Sequence, residues 1–362
     1  MTNQTDARYM AIALGLGRRG MGRVWPNPAV GCVIVKDGII IGRGRTADGG
    51  RPHAEVAALA QAGSLARDAT AYVTLEPCSH IGKTPPCANA LINAGISRVV
   101  IALGDPDPRV SGRGIAMLQD AGIAVTTGIL AEEAQRDHAG FLMRITENRP
   151  FVTLKLAGTV DGRIATATGE SQWITGPDAR RAVHMMRARH DAVMVGAGTV
   201  RADDPTLTVR GLGITRQPVR VVVSRGVKIS PDCNLGRGAR DVPVWLCHGK
   251  NSDVTPWLDQ GALSLPCGIS AGQVNPHDVM SALAGQGITR VFCEGGGMLA
   301  ASLLNAGLVD ELAVFTAGMA IGAEGTPLLA AMGVDRLAHA PKFQLKSVQP
   351  IGHDVLHRWQ RV

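Results

Sequence analysis

Three side chains far apart in the chain carry metal-ligand chemistry, and their need to converge constrains the fold more than any other feature. His53 opens His53-Ala54-Glu55, Cys78 follows Pro77, and Cys87 follows Pro85-Pro86. One imidazole and two thiolates suit Zn²⁺, and three protein ligands in place of four leave a position for water. Zinc held this way brings the pKa of that water towards neutrality. Glu55, two residues past the histidine, reaches the same spot without taking a ligand position. Its expected task is to take the water proton and deliver it to a leaving group. A closed, purely structural zinc would need a fourth ligand, for which His80 is the candidate.

The ligands fall where loops open helices. Pro52 suits a helix start, and Ala/Leu-rich 53–62 reads as a helix ending near Gly63. Cys87 opens a helix to 94, closed by Gly95. Helix N-termini favour thiolate over thiol. Around these lie a helix over 8–20 and two strands, 30–35 and 39–41, joined by a hairpin at Lys36-Asp37-Gly38. Strands follow at 71–75, 98–103 and 124–127, with a helix over 111–121. Strands alternating with helices predict a three-layer α/β domain.

At 362 residues two domains are expected. The pattern restarts after Glu147-Asn148-Arg149-Pro150, which places the domains at 1–147 and 148–362. The second half also alternates, with strands at 151–156, 192–195, 219–223, 244–246 and 290–293 and helices near 177–189, 276–286 and 297–306. Residues 225–275, rich in Gly, Pro and Asp, show the least regular order, and no internal repeat relates the halves.

The apolar runs are too short to span a membrane, and the start lacks the basic and apolar regions of a signal peptide. A cytoplasmic location is therefore expected. Seven cysteines, odd in number and scattered, argue against a disulfide framework. Net charge is +7, but the basic residues are dispersed and aromatics make up 3%. This favours a phosphorylated small substrate over nucleic acid, which would want aromatic platforms. The expected partners are a phosphorylated small molecule and further copies of the chain in a homo-oligomer, with no nucleic acid and no membrane.

The His-x-Glu and Pro-Cys pairing is the signature of zinc deaminases acting on amidine-like carbons. Nucleoside and RNA-editing deaminases have two residues between the cysteines, whereas this chain has eight. The stretches Trp25-Pro26-Asn27-Pro28-Ala29-Val30-Gly31-Cys32, Pro52-His53-Ala54-Glu55, Thr74-Leu75-Glu76-Pro77-Cys78-Ser79-His80 and Thr84-Pro85-Pro86-Cys87 resemble the bifunctional riboflavin-biosynthesis deaminase–reductases. The resemblance spans nearly the whole chain. It implies an N-terminal cytidine-deaminase-like three-layer α/β domain and a C-terminal dihydrofolate-reductase-like α/β domain. It further implies deamination of 2,5-diamino-6-ribosylamino-4(3H)-pyrimidinone 5′-phosphate, then NADPH-dependent reduction of the ribosyl chain to ribityl. Asn27 matches a substrate-contacting position. Ser79, His80, Lys83 and Thr84 offer donors for the 5′-phosphate, although Lys83 reads equally as a solvated loop charge.

In the second half, Cys293-Glu294-Gly295-Gly296-Gly297 is a strand running through glycines into a helix, a geometry that lets backbone amides approach phosphate. Glycine clusters are often mere turns, and only the resemblance makes this one specific. It implies NADPH contacts at Ala157, Trp173, Thr199, Asp203 and Ser224, and at Gly296, Gly297, Met298, Leu299, Ala300, Ala301 and Ser302. The same resemblance implies substrate contacts at Ser171, Arg187, Leu207, Arg210 and Glu294. A guanidinium can grip two phosphate oxygens, and the plain alternative for either arginine is a surface salt bridge. Lys155 is read either as polarising the ribose or as a structural strand-end lysine. Two other readings are a deaminase with a degenerate second half and a nucleic-acid editing protein.

Overall fold

The computed structural model describes residues 3–80 and 85–362; Lys83 and Thr84 lie outside them. The chain divides into two compact units, Met1–Asn148 and Arg149–Val362.

The first unit contains α1 (Asn3–Arg18), β1 (Gly31–Lys36), β2 (Ile39–Arg45), α2 (Ala54–Ala62), β3 (Thr70–Val73), α3 (Cys87–Asn93), β4 (Arg98–Ile101), α4 (Arg113–Asp120), β5 (Ala124–Thr127) and α5 (Ala131–Thr146). The strands form one sheet in the order β2-β1-β3-β4-β5. Strand β1 runs antiparallel to β2 and β3, and β3, β4 and β5 are parallel. Asp37 and Gly38 turn the β1–β2 hairpin with φ of 51° and 79°, the left-handed pair that a two-residue turn needs.

Alternating strand residues feed opposite layers, as the pleat requires. Cys32, Ile34, Val73, Val99 and Ile101 pack with Ala54 and Ala58 of α2, Leu91 of α3 and Leu118 of α4. Val33, Val35, Tyr72 and Val100 pack with Met10 and Leu14 of α1 and Ala134 of α5. The result is the three-layer α/β arrangement that the alternating pattern predicts. The ligand loops leave the sheet on the α2/α3/α4 side, which puts them all on one layer.

The second unit contains β6 (Phe151–Thr159), β7 (Arg163–Ala165), α6 (Pro177–Ala188), β8 (Ala192–Gly196), α7 (Ala197–Asp203), β9 (Val219–Ser224), α8 (Asn234–Arg237), β10 (Val244–Gly249), α9 (Thr255–Asp259) and β11 (Leu263–Cys267). It continues with β12 (Ile269–Ser270), β13 (Gln273–Val274), α10 (Pro276–Gly285), β14 (Arg290–Cys293), α11 (Gly297–Asn305), β15 (Glu311–Ala317), β16 (Thr326–Pro327), β17 (Phe343–Ile351) and β18 (Asp354–Arg361). Nine strands form a sheet ordered β11-β10-β9-β8-β14-β6-β15-β18-β17. It is parallel from β11 to β15 and finishes in an antiparallel β18–β17 hairpin. This is the dihydrofolate-reductase-like α/β class that the resemblance implies. Order in 225–275 exceeds the sequence reading, since α8, α9, β11, β12 and β13 lie there with Trp257 fully buried. Among the described residues no helix is long and apolar enough to cross a membrane.

Candidate functional site

In the first unit the three ligand candidates meet. His53 is the residue before α2, so the helix begins one residue later than the sequence suggests. Cys78 sits in the loop after β3, and Cys87 is the first residue of α3. Nδ1 of His53 stands 3.2 Å from the Cys87 sulfur and 3.6 Å from the Cys78 sulfur. The three ligand atoms all lie within 4.8 Å of one another, and among the described residues neither His80 nor Glu55 joins the group. Three donors without a fourth is the composition of a catalytic zinc site.

The electrostatics fit a cation between the sulfurs. A hydrogen bond from Cys87 lowers the Cys78 thiol to about 4, and the same bond pushes Cys87 up. The Cys87 backbone N–H also donates to the Cys78 sulfur at 3.3 Å. Hydrogen bonding to Cys78 raises the His53 imidazole. A zinc ion in place of the proton that the sulfurs share satisfies all three donors. Glu55, in the first turn of α2, is buried, and this burial raises its carboxyl to about 7 while it hydrogen-bonds Cys87. Asn27 donates from Nδ2 to the Gly50 carbonyl at 3.3 Å, which pins it beside the segment entering His53.

In the second unit the candidates gather at the C-terminal ends of parallel strands, where open α/β sheets bind ligands. Lys155 comes from β6, Arg187 from α6, Asp203 from α7, and Glu294 directly follows β14. Arg187 donates from Nε to Glu294 Oε1 at 2.5 Å, from Nη2 to Oε2 at 3.1 Å, and from Nη1 to the Thr208 carbonyl at 2.9 Å. Burial alone would push the Glu294 carboxyl up, but Arg187 and then Lys155 outweigh it and hold it below its usual range. Lys155 is lowered by desolvation, against the pull of Glu294 and Asp203.

The glycine run sits against α7. Gly296 donates its N–H to Thr199 Oγ1 at 3.2 Å, joining two cofactor candidates. The first intrahelical bond of α11 is Ala300 N to Gly296 O at 3.2 Å, so the amides of Gly297, Met298 and Leu299 precede the ladder, as phosphate binding requires. These features fit NADPH. Trp173 is 66% exposed, with the Arg180 guanidinium 4.6 Å over its ring. Ser224 is buried and its Oγ accepts the Val227 N–H at 3.0 Å. Leu207 is buried and Arg210 exposed, while Ser171 and Ala157 are half-buried.

Two residues escaped the sequence reading. His184 Nδ1 lies 3.2 Å from the Thr208 carbonyl and accepts the Arg210 N–H at 3.3 Å. It thereby ties the two arginine-bearing segments together. Its position three residues before Arg187, on the same helix face, was the available signal. The second is Glu76, a buried acid next to Pro77-Cys78.

Comparison with known proteins finds a deaminase-type region in the first half and a reductase-type region in the second. The family model for the cytidine and deoxycytidylate deaminase zinc-binding region matches residues 3–103, and that for the RibD C-terminal domain matches residues 150–357. The chain is 43% identical to the riboflavin biosynthesis protein RibD of Escherichia coli, covering 97% of this chain and 98% of that protein. A solved RibD from Acinetobacter baumannii superposes with a TM-score of 0.90 at 38% identity, covering 100% of both chains. A Thermotoga maritima structure described as a diaminohydroxyphosphoribosylaminopyrimidine deaminase/5-amino-6-(5-phosphoribosylamino)uracil reductase gives 0.88 at 35% identity, covering 99% of each. Similarity that runs end to end, with a zinc-binding deaminase region ahead of a reductase domain, places the chain in the RibD family, the bifunctional deaminase–reductases of riboflavin biosynthesis that use zinc and NADPH.

Proposed function

We propose that residues 1–147 carry the deaminase and 148–362 the reductase. His53, Cys78 and Cys87 hold zinc, which when bound supplies the Lewis acidity that makes water a nucleophile near neutral pH. Glu55 takes the proton of the attacking water on its carboxylate and returns it to the amine leaving C2 of the pyrimidine, so that water and substrate give carbonyl and ammonia. A buried carboxyl beside the ligand group is placed to do both. Asn27 orients the ring, and Lys83 neutralises the 5′-phosphate. The observation that carries this half is the convergence of three ligand atoms, with the buried Glu55 hydrogen-bonded to Cys87 and outside the ligand group.

In the reductase, Gly296 to Ser302 with Ala157, Trp173, Thr199, Asp203 and Ser224 hold NADPH, which supplies the hydride. Arg187 and Arg210 grip the substrate phosphate, with Ser171 and Leu207 beside it. Glu294 aims Arg187, and Lys155 polarises the open-chain ribose at C1′. The exposed edge strand β17 supports a homo-oligomer, and the lack of any spanning helix among the described residues fits a cytoplasmic location.

The test is to incubate the purified chain with the diaminopyrimidine ribotide, with and without NADPH, following ammonia and NADPH absorbance together. Ammonia release in both arms, with NADPH consumption only after deamination, is the expected result. No ammonia from zinc-replete enzyme would overturn the first half of the reading. Sedimentation velocity showing only monomer would remove the oligomer.

A further inference from the structure

We infer that Glu76 is a positioning residue for the deaminase centre: its carboxylate gathers four backbone amides around the Pro77-Cys78 turn and so sets where the Cys78 sulfur stands. The inference rests on the reading that Cys78 is a zinc ligand. Glu76 is 4% exposed, yet among the described residues its carboxylate accepts hydrogen bonds from backbone alone. Oε1 accepts the N–H groups of Gly114 at 3.0 Å and Ile115 at 3.2 Å. Oε2 accepts those of Gly112 at 3.1 Å and Asp105 at 3.3 Å. A carboxylate has about four lone-pair sites, so its acceptor capacity is filled. Three of the donors belong to the start of α4, where amides lack intrahelical partners and the helix dipole favours negative charge.

The neighbouring residues are clamped from the same side. The Glu76 N–H donates to the Leu103 carbonyl at 2.9 Å, and Ser79 Oγ donates to the Arg109 carbonyl at 3.1 Å. Gly114 passes so close to Pro77 that a Cβ there would lie 2.0 Å from the Pro77 oxygen. Cys78 therefore sits in a turn held on both sides of it by segment 103–115. It lies in neither helix nor strand, so this clamp does for Cys78 what a helix start does for Cys87. Zinc–sulfur bonds tolerate only a narrow range of lengths, so a turn free to drift would hold the metal weakly.

Glu76→Gln in the full-length chain tests this. The side-chain amide would turn an NH₂ group towards two of the four N–H donors. Zinc affinity is measured by competition with a chromophoric chelator, together with kcat and KM for ammonia release and NADPH oxidation on supplied deaminated intermediate. The expected result is zinc affinity down about 10- to 100-fold, as for other outer partners of metal ligands. The kcat for ammonia release falls and recovers with added zinc, KM stays within about twofold, and the reductase is unchanged. Cys78→Ser run in parallel separates the two readings. If Cys78→Ser loses zinc while Glu76→Gln binds it as wild type does, the positioning role is overturned. If Cys78→Ser keeps wild-type affinity, the ligand assignment has failed instead, and the inference falls with it. Should Glu76→Gln unfold the first unit, Glu76→Asp decides by the same chelator assay: weakened zinc in a folded unit supports the role, and wild-type affinity overturns it. Unfolding in both variants overturns it too, because Glu76 would then be a general prop.

Discussion

Glu294 grips Arg187 with both carboxylate oxygens, Nε to Oε1 at 2.5 Å and Nη2 to Oε2 at 3.1 Å. Both side chains are largely buried, with Arg187 at 12% and Glu294 at 9% exposure. The geometry makes Glu294 the residue that orients the arginine proposed to meet phosphate. Removing one partner of such a pair leaves a buried charge uncompensated, typically at about 3–5 kcal/mol.

Glu294→Ala should therefore lower kcat/KM of NADPH oxidation by on the order of a hundredfold, with ammonia release kept. Assaying both activities on one preparation checks this. Equal loss of both would remove Glu294 from the second centre.

Glu55→Gln should retain zinc by metal analysis and keep NADPH oxidation on supplied intermediate, while ammonia release falls by roughly 10²–10⁴-fold, the usual worth of a general acid–base. A variant that deaminates at the normal rate would end the proton-shuttle assignment.

Gly297→Ala should raise KM for NADPH about tenfold, on the scale at which small misplacements matter, without touching ammonia release. The added Cβ would lie 2.9 Å from the Ala330 nitrogen and 3.3 Å from the Leu328 oxygen, both backbone atoms. Either the helix start or that segment must then move. An unchanged KM would show that the α11 entrance does not hold the cofactor.

His190 makes the second unit acid-sensitive. Burial lowers its imidazole to about 3. Nδ1 donates to the Met186 carbonyl at 2.7 Å and Nε2 meets Thr153 Oγ1 at 3.0 Å. The unfolded chain binds this proton near pH 6.5 and the folded one does not, so stability rises with pH across the interval. The contribution is complete above about pH 6.5 and is lost as pH falls towards 3, by at most ~1.4 kcal/mol per pH unit. His190→Asn should flatten this part of the melting-temperature profile between about pH 6 and 4. A variant with the wild-type slope would show that the histidine does not cause it.

Much of the architecture was legible because most core elements carry clean periodicity. Strands β3, β4, β8, β9 and β14 and helices α2, α3, α6, α10 and α11 stand within a few residues of their expected positions. The misses have physical causes. The residues that helix α5 buries are Ala134, His138 and Gly140, two small and one polar, in place of the large apolar ones by which the inner face of a helix is usually recognised. Strand β17 is exposed on nearly every residue, which erases the in–out alternation of a half-buried strand. The chemistry fared similarly. His53, Glu55, Cys78 and Cys87 were visible because the roles proposed for them, holding a metal and moving a proton, each demand that residue type. Glu76 was read only as part of the stretch that leads to Cys78, and His184 carried no reading.

The amino-acid sequence alone determined the reactive inventory and its division between two halves, since ligand softness, acid strength and backbone freedom belong to residue types and survive without coordinates. Folding decided the company those residues keep. Arg187 and Glu294 are 107 positions apart, and the amides that fill Glu76 arrive from 29 to 39 positions away. Such pairings depend on which strands lie side by side, and strand order is set by packing the whole sheet, a quantity no local stretch of chain contains.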